Sequence, residues 1–487
     1  MPVPAVRPSL PRQRGVIAVL CCAMLLGMLA LMGLALDLGQ LYNRKAELQV
    51  LADATALAAA RELNGTGGGV TEALNAAATA AARFPVGYNK ISITWAADAL
   101  RFAAAPDGAW TDAAGAQAAA ARMMYVKVDT RQLSGDPGLV NLIFMRLRGS
   151  VSASAQAVAG RASTLVTPLA ICAQSTQPAA ARANVGGNSA FDELVEFGFR
   201  RGVAYDLMNL NPQGLTPQHF LIDPLAPPGV AGAAADFATD VVGPFVCNGS
   251  LPMPTVIGGP LTVQRGFPLA TLYQHLNSRF DNYSGNVCTP DGAPPDSNVK
   301  PYPYTAISWM AAAPATQTAG AWTSGGVRLW TRADPLPGDA SNTAAQYGPL
   351  WAGARAVPYS AYVAQPVEPA NGYGVFAASA WSSLYAPGAP AASGYPAGQA
   401  NATPYIATAG THFLAPSAGH QPGVAKRRVL HVALLDCPVA AGPTASATVL
   451  GVGRFFMTVP ATPTSLAAEF AGIAPPSSLG GATELQR

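Results

Sequence analysis

The sequence predicts an α+β (or α/β) protein that begins with a single transmembrane helix. Three observations predict this architecture: an uncharged apolar run at 16–36, a helical pattern that continues through 37–63, and a mixture of helix-like and strand-like segments in the rest of the chain. We expect the mixed segments to form a sheet domain with a large loop-rich insertion.

The apolar run at residues 16–36 contains twenty-one residues and no charged side chain. A helix of about 20 residues crosses a hydrocarbon core that is about 30 Å thick. Arg7, Arg12 and Arg14 precede the run, and the first acidic residue is Asp37. The positive-inside rule therefore places residues 1–15 in the cytoplasm and the bulk of the chain outside it. We expect a single-pass protein of a bacterial inner membrane with a periplasmic bulk.

The alternative interpretation of this run is a cleaved signal peptide. Signal peptides have a shorter apolar core, of about 7–15 residues, followed by a cleavage site with small residues. The run at 16–36 is longer, and its only candidate cleavage site is Gly33-Leu34-Ala35. An uncleaved membrane anchor is the favoured interpretation.

Residues 37–63 continue the helical pattern beyond the membrane. Apolar side chains recur at three- and four-residue spacing, and no proline interrupts the segment. The pattern predicts one continuous rod from about Val16 to Leu63, which the glycines at 65 and 67–69 end. The alanines between Ala52 and Ala60 permit close contact with another helix; the sequence leaves open whether that helix belongs to a partner or to the same domain.

The remaining chain is predicted to contain one mixed domain formed by 64–172 plus 426–487. Residues 173–425 are then an insertion, rich in Ala, Gly and Pro and partly flexible after about residue 311. A helix is predicted at 70–83 and a short one at 139–147. Alternating or apolar runs predict strands at 90–95, 122–129, 149–158, 165–172, 428–437 and 448–459.

The composition fits an exported protein and gives no sign of nucleic-acid binding. Only 11% of the residues are charged, compared with about 25% in typical soluble domains. The net charge of +3 is spread along the chain. The short basic run Lys426-Arg427-Arg428 is interpreted as the solvated start of a strand rather than as an electrostatic patch.

Four cysteines lie outside the membrane run: Cys172, Cys247, Cys288 and Cys437. In an extracytoplasmic domain they permit two disulfides in three connectivities. We expect Cys247–Cys288, because the two are close in sequence, and Cys172–Cys437, because both end strand-like runs. Four buried unpaired thiols are the alternative.

The junction between the membrane run and the rod contains a contiguous motif: Arg14-Gly15, Leu36-Asp37-Leu38-Gly39, Leu41-Tyr42-Asn43-Arg44, Leu48-Gln49 and Ala52-Asp53-Ala54 with the alanines to Ala60. This motif resembles the TadE/TadG-like proteins of Flp (tight adherence) pilus-assembly systems. Leu51 departs from the alanine that is usual in this pattern. The polar and aromatic members of the block are the candidates for membrane-interface and assembly contacts: Asp37, Tyr42, Arg44, Gln49 and Asp53.

Further segments resemble longer members of the family. They are Gly266-Phe267, 276–281, Cys288, 294–299, Asp436-Cys437, 452–456 and Glu469-Phe470. The resemblance implies a role in pilus assembly or secretion, with the inner membrane and other assembly proteins or pilin-like subunits as partners. Prepilin processing is not expected, because Leu20 stands where the processing motif requires a glutamate five residues after Gly15.

The sequence predicts no enzymatic activity, no metal and no cofactor. The von Willebrand A domain that many such proteins carry needs an Asp-x-Ser-x-Ser metal motif. The nearest approximation, at 339–343, follows a turn rather than a buried strand and is not taken as a site. The five histidines form no metal-binding spacing, and no nucleophile or phosphate-loop motif occurs.

Two functions are compatible with these observations. The leading hypothesis is a membrane-anchored component of Flp/Tad-type pilus assembly, whose rod and alanine face contact partner subunits. The alternative is a tethered extracytoplasmic binding module or adhesin that uses the 173–425 insertion. The sequence leaves the oligomeric state open.

Overall fold

The computed structural model forms two compact units, residues 1–161 with 483–487 (unit 1) and residues 162–482 (unit 2). The residues that the structure describes are 14–143, 150–184, 186–257, 259–307, 309, 316–324, 326–334, 344–385, 393–396, 402–480, 483 and 485–486.

Unit 1 is built on one long helix, α1, which spans Arg14–Glu62 without interruption. Its 49 residues correspond to roughly 70 Å at 1.5 Å per residue, which confirms the predicted continuous rod. A second helix, α2 (Gly67–Ala81), begins within the glycine run, where the Thr66 hydroxyl accepts a hydrogen bond from the Gly69 N–H at 3.0 Å. A short helix, α3 (Ala113–Ala118), follows.

The strands of unit 1 form a four-stranded antiparallel sheet and a separate hairpin. They are β1 (Leu100–Ala103), β2 (Tyr125–Asp129), β3 (Leu139–Asn141), β4 (Ser150–Ser152), β5 (Gln156–Gly160) and the C-terminal β19 (Leu485–Gln486). The sheet has the order β1-β2-β5-β19, and β3 pairs with β4 in the hairpin.

The core of unit 1 lies between α1, α2 and the sheet. Most alanines of the rod's alanine face are fully buried in this core, together with Leu48 and Leu51. They pack with Val70, Ala73 and Ala77 of α2 and with valines and alanines of the sheet. The alanine face of the rod is therefore covered by its own unit, which corrects the expectation that this face contacts partner subunits. Small side chains are needed here because the two helices pack closely.

Two elements of unit 1 differ from the sequence prediction. Residues 139–147 were expected to form a helix, but 139–141 form β3, with Val140 buried between exposed neighbours; residues 144–149 lie outside the described residues. Residues 90–95 were expected to form a strand, but they contribute only isolated bridges from Ile91 to Val86 and from Thr94 to Ser134. The pairing partner, rather than local propensity, decides both outcomes.

Unit 2 is organised around an eight-stranded sheet. The strands of the unit are β6 (Leu169–Cys172), β7 (Ala180–Arg182), β8 (Glu193–Glu196), β9 (Phe199–Arg200), β10 (Ala204–Asp206), β11 (His219–Ile222), β12 (Leu261–Arg265), β13 (Ala321–Ser324), β14 (Arg328–Thr331), β15 (Val429–Leu435), β16 (Thr444–Ala447), β17 (Val449–Met457) and β18 (Ala467–Ile473). The sheet has the order β10-β18-β17-β15-β6-β11-β12-β16. All neighbouring strands in it are antiparallel except β6 and β15, which are parallel.

The helices of unit 2 connect and cover these strands. They are α4 (Thr239–Asn248), α5 (Leu269–Asn277), α6 (Ala344–Tyr347), α7 (Tyr359–Ala364) and α8 (Trp381–Leu384). Buried side chains of α4, α5 and α8 belong to the same apolar cluster as residues of β15, β17 and β18. The main core of the unit therefore lies between the sheet and these helices.

The two units do not coincide with the predicted domain of 64–172 plus 426–487. Three strands of the central sheet, β10, β11 and β12, come from the predicted insertion at 173–425. Residues 64–161 instead belong to unit 1. Periodicity identifies strands but carries no information about which strands share hydrogen bonds, and this is why the boundary was misplaced. The fold class, α+β with an N-terminal helix, is as predicted.

The segment after residue 311 contributes to the main core of unit 2. Trp351, Trp381 and Tyr385 are buried, and the ring centroids of the two tryptophans are 4.5 Å apart. Part of the segment that was predicted to be flexible lies outside the described residues, namely 311–315, 335–343, 386–392 and 397–401.

Both disulfides have the expected pairing. Cys172 ends β6 and Cys437 follows β15, and their Cα atoms are 5.7 Å apart because the two strands are parallel neighbours. Cys247 in α4 is joined to Cys288, with Cα atoms 5.8 Å apart. The first bond spans 265 residues of sequence, and closure of so long a loop restricts the unfolded chain strongly.

We predict that Ala56→Leu destabilises unit 1 by about 1–3 kcal/mol, because the added methylenes overpack the α1–α2 interface. Ala46→Leu is the matched control, since Ala46 is an exposed alanine of the same helix, and a change within about 0.5 kcal/mol is expected there. The hydrogen-exchange rates of the α2 amides, measured in the detergent-solubilised full chain, report the destabilisation in each of the two variants. Equal exchange in the two variants would contradict the packing described above.

Candidate functional site

The N-terminal segment of α1 exposes an apolar surface on all sides. Every residue from Ile17 to Leu36 is exposed except Gly33. A helix that is apolar all round and not buried by its own protein is typical of a membrane span. Among the described residues, α1 is the only helix that is long and apolar enough to cross a membrane.

Asp37 lies at the end of this apolar surface and is only 1% exposed. Its Oδ1 accepts a hydrogen bond from the backbone N–H of Ile143 at 2.9 Å. Asp37 therefore connects the helix to the segment that follows β3. The residue that the sequence singled out as an interfacial carboxylate has a defined internal partner.

Arg44 and Glu47 connect the rod to two other segments of unit 1. The Arg44 Nη1 donates to the carbonyl of Pro137 at 2.5 Å, and its Nε lies 3.4 Å from Oε2 of Glu47. Glu47 in turn accepts hydrogen bonds from the backbone N–H groups of Gly87 at 2.7 Å and Tyr88 at 3.2 Å. Sequence reasoning missed Glu47, although its position three residues after Arg44 was a signal for a helical ion pair.

Gln49 and Asp53 form a third internal connection. The Gln49 Nε2 donates to Asp53 Oδ1 at 2.7 Å and to the carbonyl of Gln156 in β5 at 3.1 Å. Three of the five candidates, Asp37, Arg44 and Gln49, therefore hold the rod to other segments of its own unit, and Asp53 is the acceptor of Gln49 within the helix. A further role of these four residues in assembly stays a prediction.

Tyr42 is the exception, because 72% of its surface is exposed. Leu38, Ala46 and Val50 are also exposed and follow the same four-residue spacing. These four residues form a stripe along the side of α1 that lies away from Leu48 and Ala52. We refer to Leu38, Tyr42, Ala46 and Val50 as the outer stripe.

The arginines that predict the membrane orientation lie at or before the first described residue. Arg7 and Arg12 lie outside the described residues, and Arg14 is described only as the first residue of α1. The near-match to a von Willebrand A metal motif at 339–343 also lies outside them. Within the described residues, no group of three or more His, Cys, Asp or Glu side chains could hold a metal ion.

Unit 2 contains a cleft of about 680 Å³, which is lined by Lys426, Arg427, Arg279 and Arg454 among others. Sequence reasoning missed this cleft because its basic residues are scattered along the chain. They come from segments that are up to 253 positions apart, from 201 to 454.

The run 426–428 is predicted to be the solvated start of a strand. The structure differs at Arg428, which is fully buried. Its guanidinium donates to the carbonyls of Met457 at 2.7 Å and Lys300 at 2.7 Å, and it lies over the ring of Phe456. Burial lowers the pKa of Arg428 to about 10.

Asp296 is the buried carboxylate beside Arg428. It accepts hydrogen bonds from the Arg428 backbone N–H at 2.9 Å and from the Tyr405 hydroxyl at 2.9 Å. The pairing connects a loop of the predicted insertion with the start of β15. This arrangement is structural, because both groups are surrounded by protein donors and acceptors.

A family model matches the N-terminal part of the chain. Residues 15–62 match the model of a family described as putative Flp pilus-assembly TadE/G-like. The matched residues are nearly the whole of α1, including Asp37, Tyr42 and Arg44. The resemblance drawn from the sequence at this junction is thereby confirmed, and the segments from 266 onward lie outside the match. No curated protein and no solved structure matches the chain.

We predict that Asp37→Ala accelerates hydrogen exchange at the Ile143 amide, because the amide loses its acceptor. Tyr42→Ala is the control, since the exposed Tyr42 side chain does not contact this amide, and it should leave the exchange unchanged. Mass spectrometry of peptides that cover 138–143 measures the effect. An unchanged rate in Asp37→Ala would mean that the bond does not hold this segment.

Proposed function

We propose that the protein is a membrane-anchored component of Flp/Tad-type pilus assembly that acts through protein–protein contacts rather than through catalysis. The observation that carries the proposal is the division of α1 at Asp37. Before this residue the helix exposes apolar side chains in every direction, and beyond it the alanine face is buried in unit 1. The family match covers both segments.

In this proposal residues 16–36 span the inner membrane of a bacterium. The arginines at 7, 12 and 14 stay in the cytoplasm, and unit 2 and the part of unit 1 that follows residue 36 fold in the periplasm. The two disulfides support an oxidising compartment for unit 2.

The outer stripe is the surface of α1 that supports a contact with another assembly protein. It is exposed, it continues directly from the membrane run, and it lies within the family match. We propose that its partner is the corresponding helix of a second membrane-anchored assembly protein or pilin-like subunit. Two such helices that emerge side by side from a membrane would meet along this face.

The tethered binding module is the second candidate function. The basic cleft of unit 2 favours it, because a cleft of this size suits a small ligand. An adhesin would bind its target through such a cleft, whereas an assembly protein requires only contacts with its protein partners.

The membrane topology is tested by protease treatment of spheroplasts that express the full chain with an N-terminal and a C-terminal tag. We expect loss of the C-terminal tag and protection of the N-terminal tag, because only the latter lies in the cytoplasm. A mature chain that is recovered from a soluble extract and begins after residue 35 would contradict the anchor.

The assembly role is tested by deletion of the gene and complementation with variants. We expect deletion to abolish surface pili and Tyr42→Arg to restore few of them, because a cation in the outer stripe disrupts an apolar helix contact. Tyr88→Arg is the matched control, since Tyr88 is a similarly exposed tyrosine of unit 1 outside α1, and it should restore pili fully. Normal piliation of the deletion strain would refute the proposal and leave the binding module as the better function.

A further inference from the structure

The cleft of unit 2 is of the size that binds small organic molecules. Its volume is about 680 Å³, within the range of about 300–1,000 Å³ that is common for ligand sites. It lies beside β15 and β17, and its lining comes from residues between 165 and 478. The whole cleft therefore belongs to one unit.

The lining is strongly cationic. Six lysine and arginine side chains contribute to it, whereas Glu368 is the only carboxylate among its lining residues in the described chain. The six are Arg201, Arg279, Arg355, Lys426, Arg427 and Arg454.

The charges at Glu368 are compensated. Oε2 of Glu368 lies 3.0 Å from Nη2 of Arg201 and 2.5 Å from Nη2 of Arg454. Arg201 has a second carboxylate partner in Glu196, at 2.6 Å. Two arginines and two glutamates therefore balance one another at this end of the cleft.

The charge of Arg279 is not compensated in this way. Arg279 is 1% exposed. Its Nη2 donates to the carbonyl of Val246 at 3.0 Å, and its Nη1 donates to the carbonyls of His275 at 3.5 Å and Leu276 at 3.4 Å. Its Nε has no hydrogen-bond partner within the described structure. Burial and the neighbouring Arg427 lower the pKa of Arg279 well below its ordinary value, and no described carboxylate forms an ion pair with it.

The neighbours of Arg279 add positive charge. Arg427 directs its donors to the carbonyls of Cys247 at 2.8 Å, Asn248 at 2.5 Å and Pro294 at 3.1 Å, and among the described residues no carboxylate forms an ion pair with it. Lys426, the preceding residue, is exposed. Two guanidinium groups and an ammonium group thus contribute to the cleft without a matching acid from the described chain.

Gly249 lies directly against the guanidinium of Arg279. Gly249 lines the cleft, and a Cβ atom at this position would lie 2.7 Å from Nη2 of Arg279. Its φ of +75° is also one that glycine adopts without strain. A side chain here would clash with the guanidinium, so glycine lets the backbone of the cleft lining lie directly beside the buried charge.

We propose that the region of the cleft around Arg279, Arg427 and Lys426 binds the oxyanion, a carboxylate or a phosphate monoester, of a small organic ligand. A buried cation without a counter-ion is costly, and a bound anion offsets that cost. Guanidinium N–H donors suit both kinds of oxyanion, and the Nε of Arg279 is the donor that has no partner in the described structure. The proposal rests on unit 2 alone and is independent of the role of α1.

Calorimetric titration of the detergent-solubilised full chain at low ionic strength tests the proposal. The probes are glucuronate for the carboxylate, glucose 6-phosphate for the phosphate ester and glucose as the neutral control. We expect at least one of the two acidic sugars to bind with no response to glucose, and the tighter one identifies the preferred oxyanion.

Three variants locate the site. Arg279→Met should raise the dissociation constant by about tenfold or more, because a hydrogen bond to a charged group is lost. Lys426→Asn should raise it about two- to fivefold without disturbing the fold, since the residue is exposed and asparagine tolerates its φ of +67°. Arg265→Met is the control: Arg265 also donates to backbone carbonyls of unit 2, at 3.1 and 3.2 Å, but does not line the cleft.

The Lys426→Asn variant keeps the proposal falsifiable if Arg279→Met fails to fold. Binding that weakens in Lys426→Asn and stays unchanged in Arg265→Met supports the assignment. Failure of both acidic sugars to bind overturns it, as does equal affinity of the wild type and Lys426→Asn. Piliation of the deletion strain is unaffected by either result, so the two proposals are tested separately.

Discussion

The structure of unit 1 depends on the uninterrupted hydrogen bonding of α1 across two different surroundings. For its first twenty or so residues the helix is apolar on all sides, and beyond Asp37 its alanine face is buried against α2 and the sheet. An uninterrupted helix satisfies its own backbone groups, so the same secondary structure is stable in lipid and in water. At Asp37 the backbone continues unchanged and only the side chains and their contacts differ: an apolar, exposed surface is followed by an alanine face that is buried in unit 1.

The polar residues from Asp37 onward have a definite physical role in this arrangement. Asp37, Arg44, Glu47 and Gln49 each bind backbone groups of other segments of unit 1. Backbone groups in loops need partners, and side chains from the rod provide them. The assembly contact is therefore proposed for the exposed outer stripe rather than for the polar residues that first drew attention to this block.

Unit 2 depends on buried charges that connect distant segments of the chain. Arg428 and Asp296 join the start of β15 to a loop that precedes it by 132 residues. Glu469 in β18 accepts hydrogen bonds from the backbone N–H groups of Ala352 at 2.9 Å and Gly353 at 3.2 Å, and burial raises its pKa to about 7. Such groups are costly to bury unless every donor and acceptor is used, and they fix which segments lie together. Arg279 lacks this compensation, which is why it indicates a ligand.

The sequence by itself determined the local features of this protein. The continuous helix, the α+β class and the family resemblance at 15–62 all follow from periodicity, from glycine and proline positions or from a contiguous motif. The strands β2, β4, β5, β6, β15 and β17 were predicted in the same way, whereas the other strands were not. The disulfide pairing was also predicted, because Cys172 and Cys437 lie at the ends of recognisable strands and the other two cysteines are close in sequence. Only the tertiary structure decided which strands form one sheet, that the alanine face of α1 is buried in its own unit, and that basic residues from 279 and 427 meet in one cleft. The physical reason is that these outcomes rest on contacts between residues far apart in the chain, and such contacts leave no periodic or contiguous signal in a single sequence.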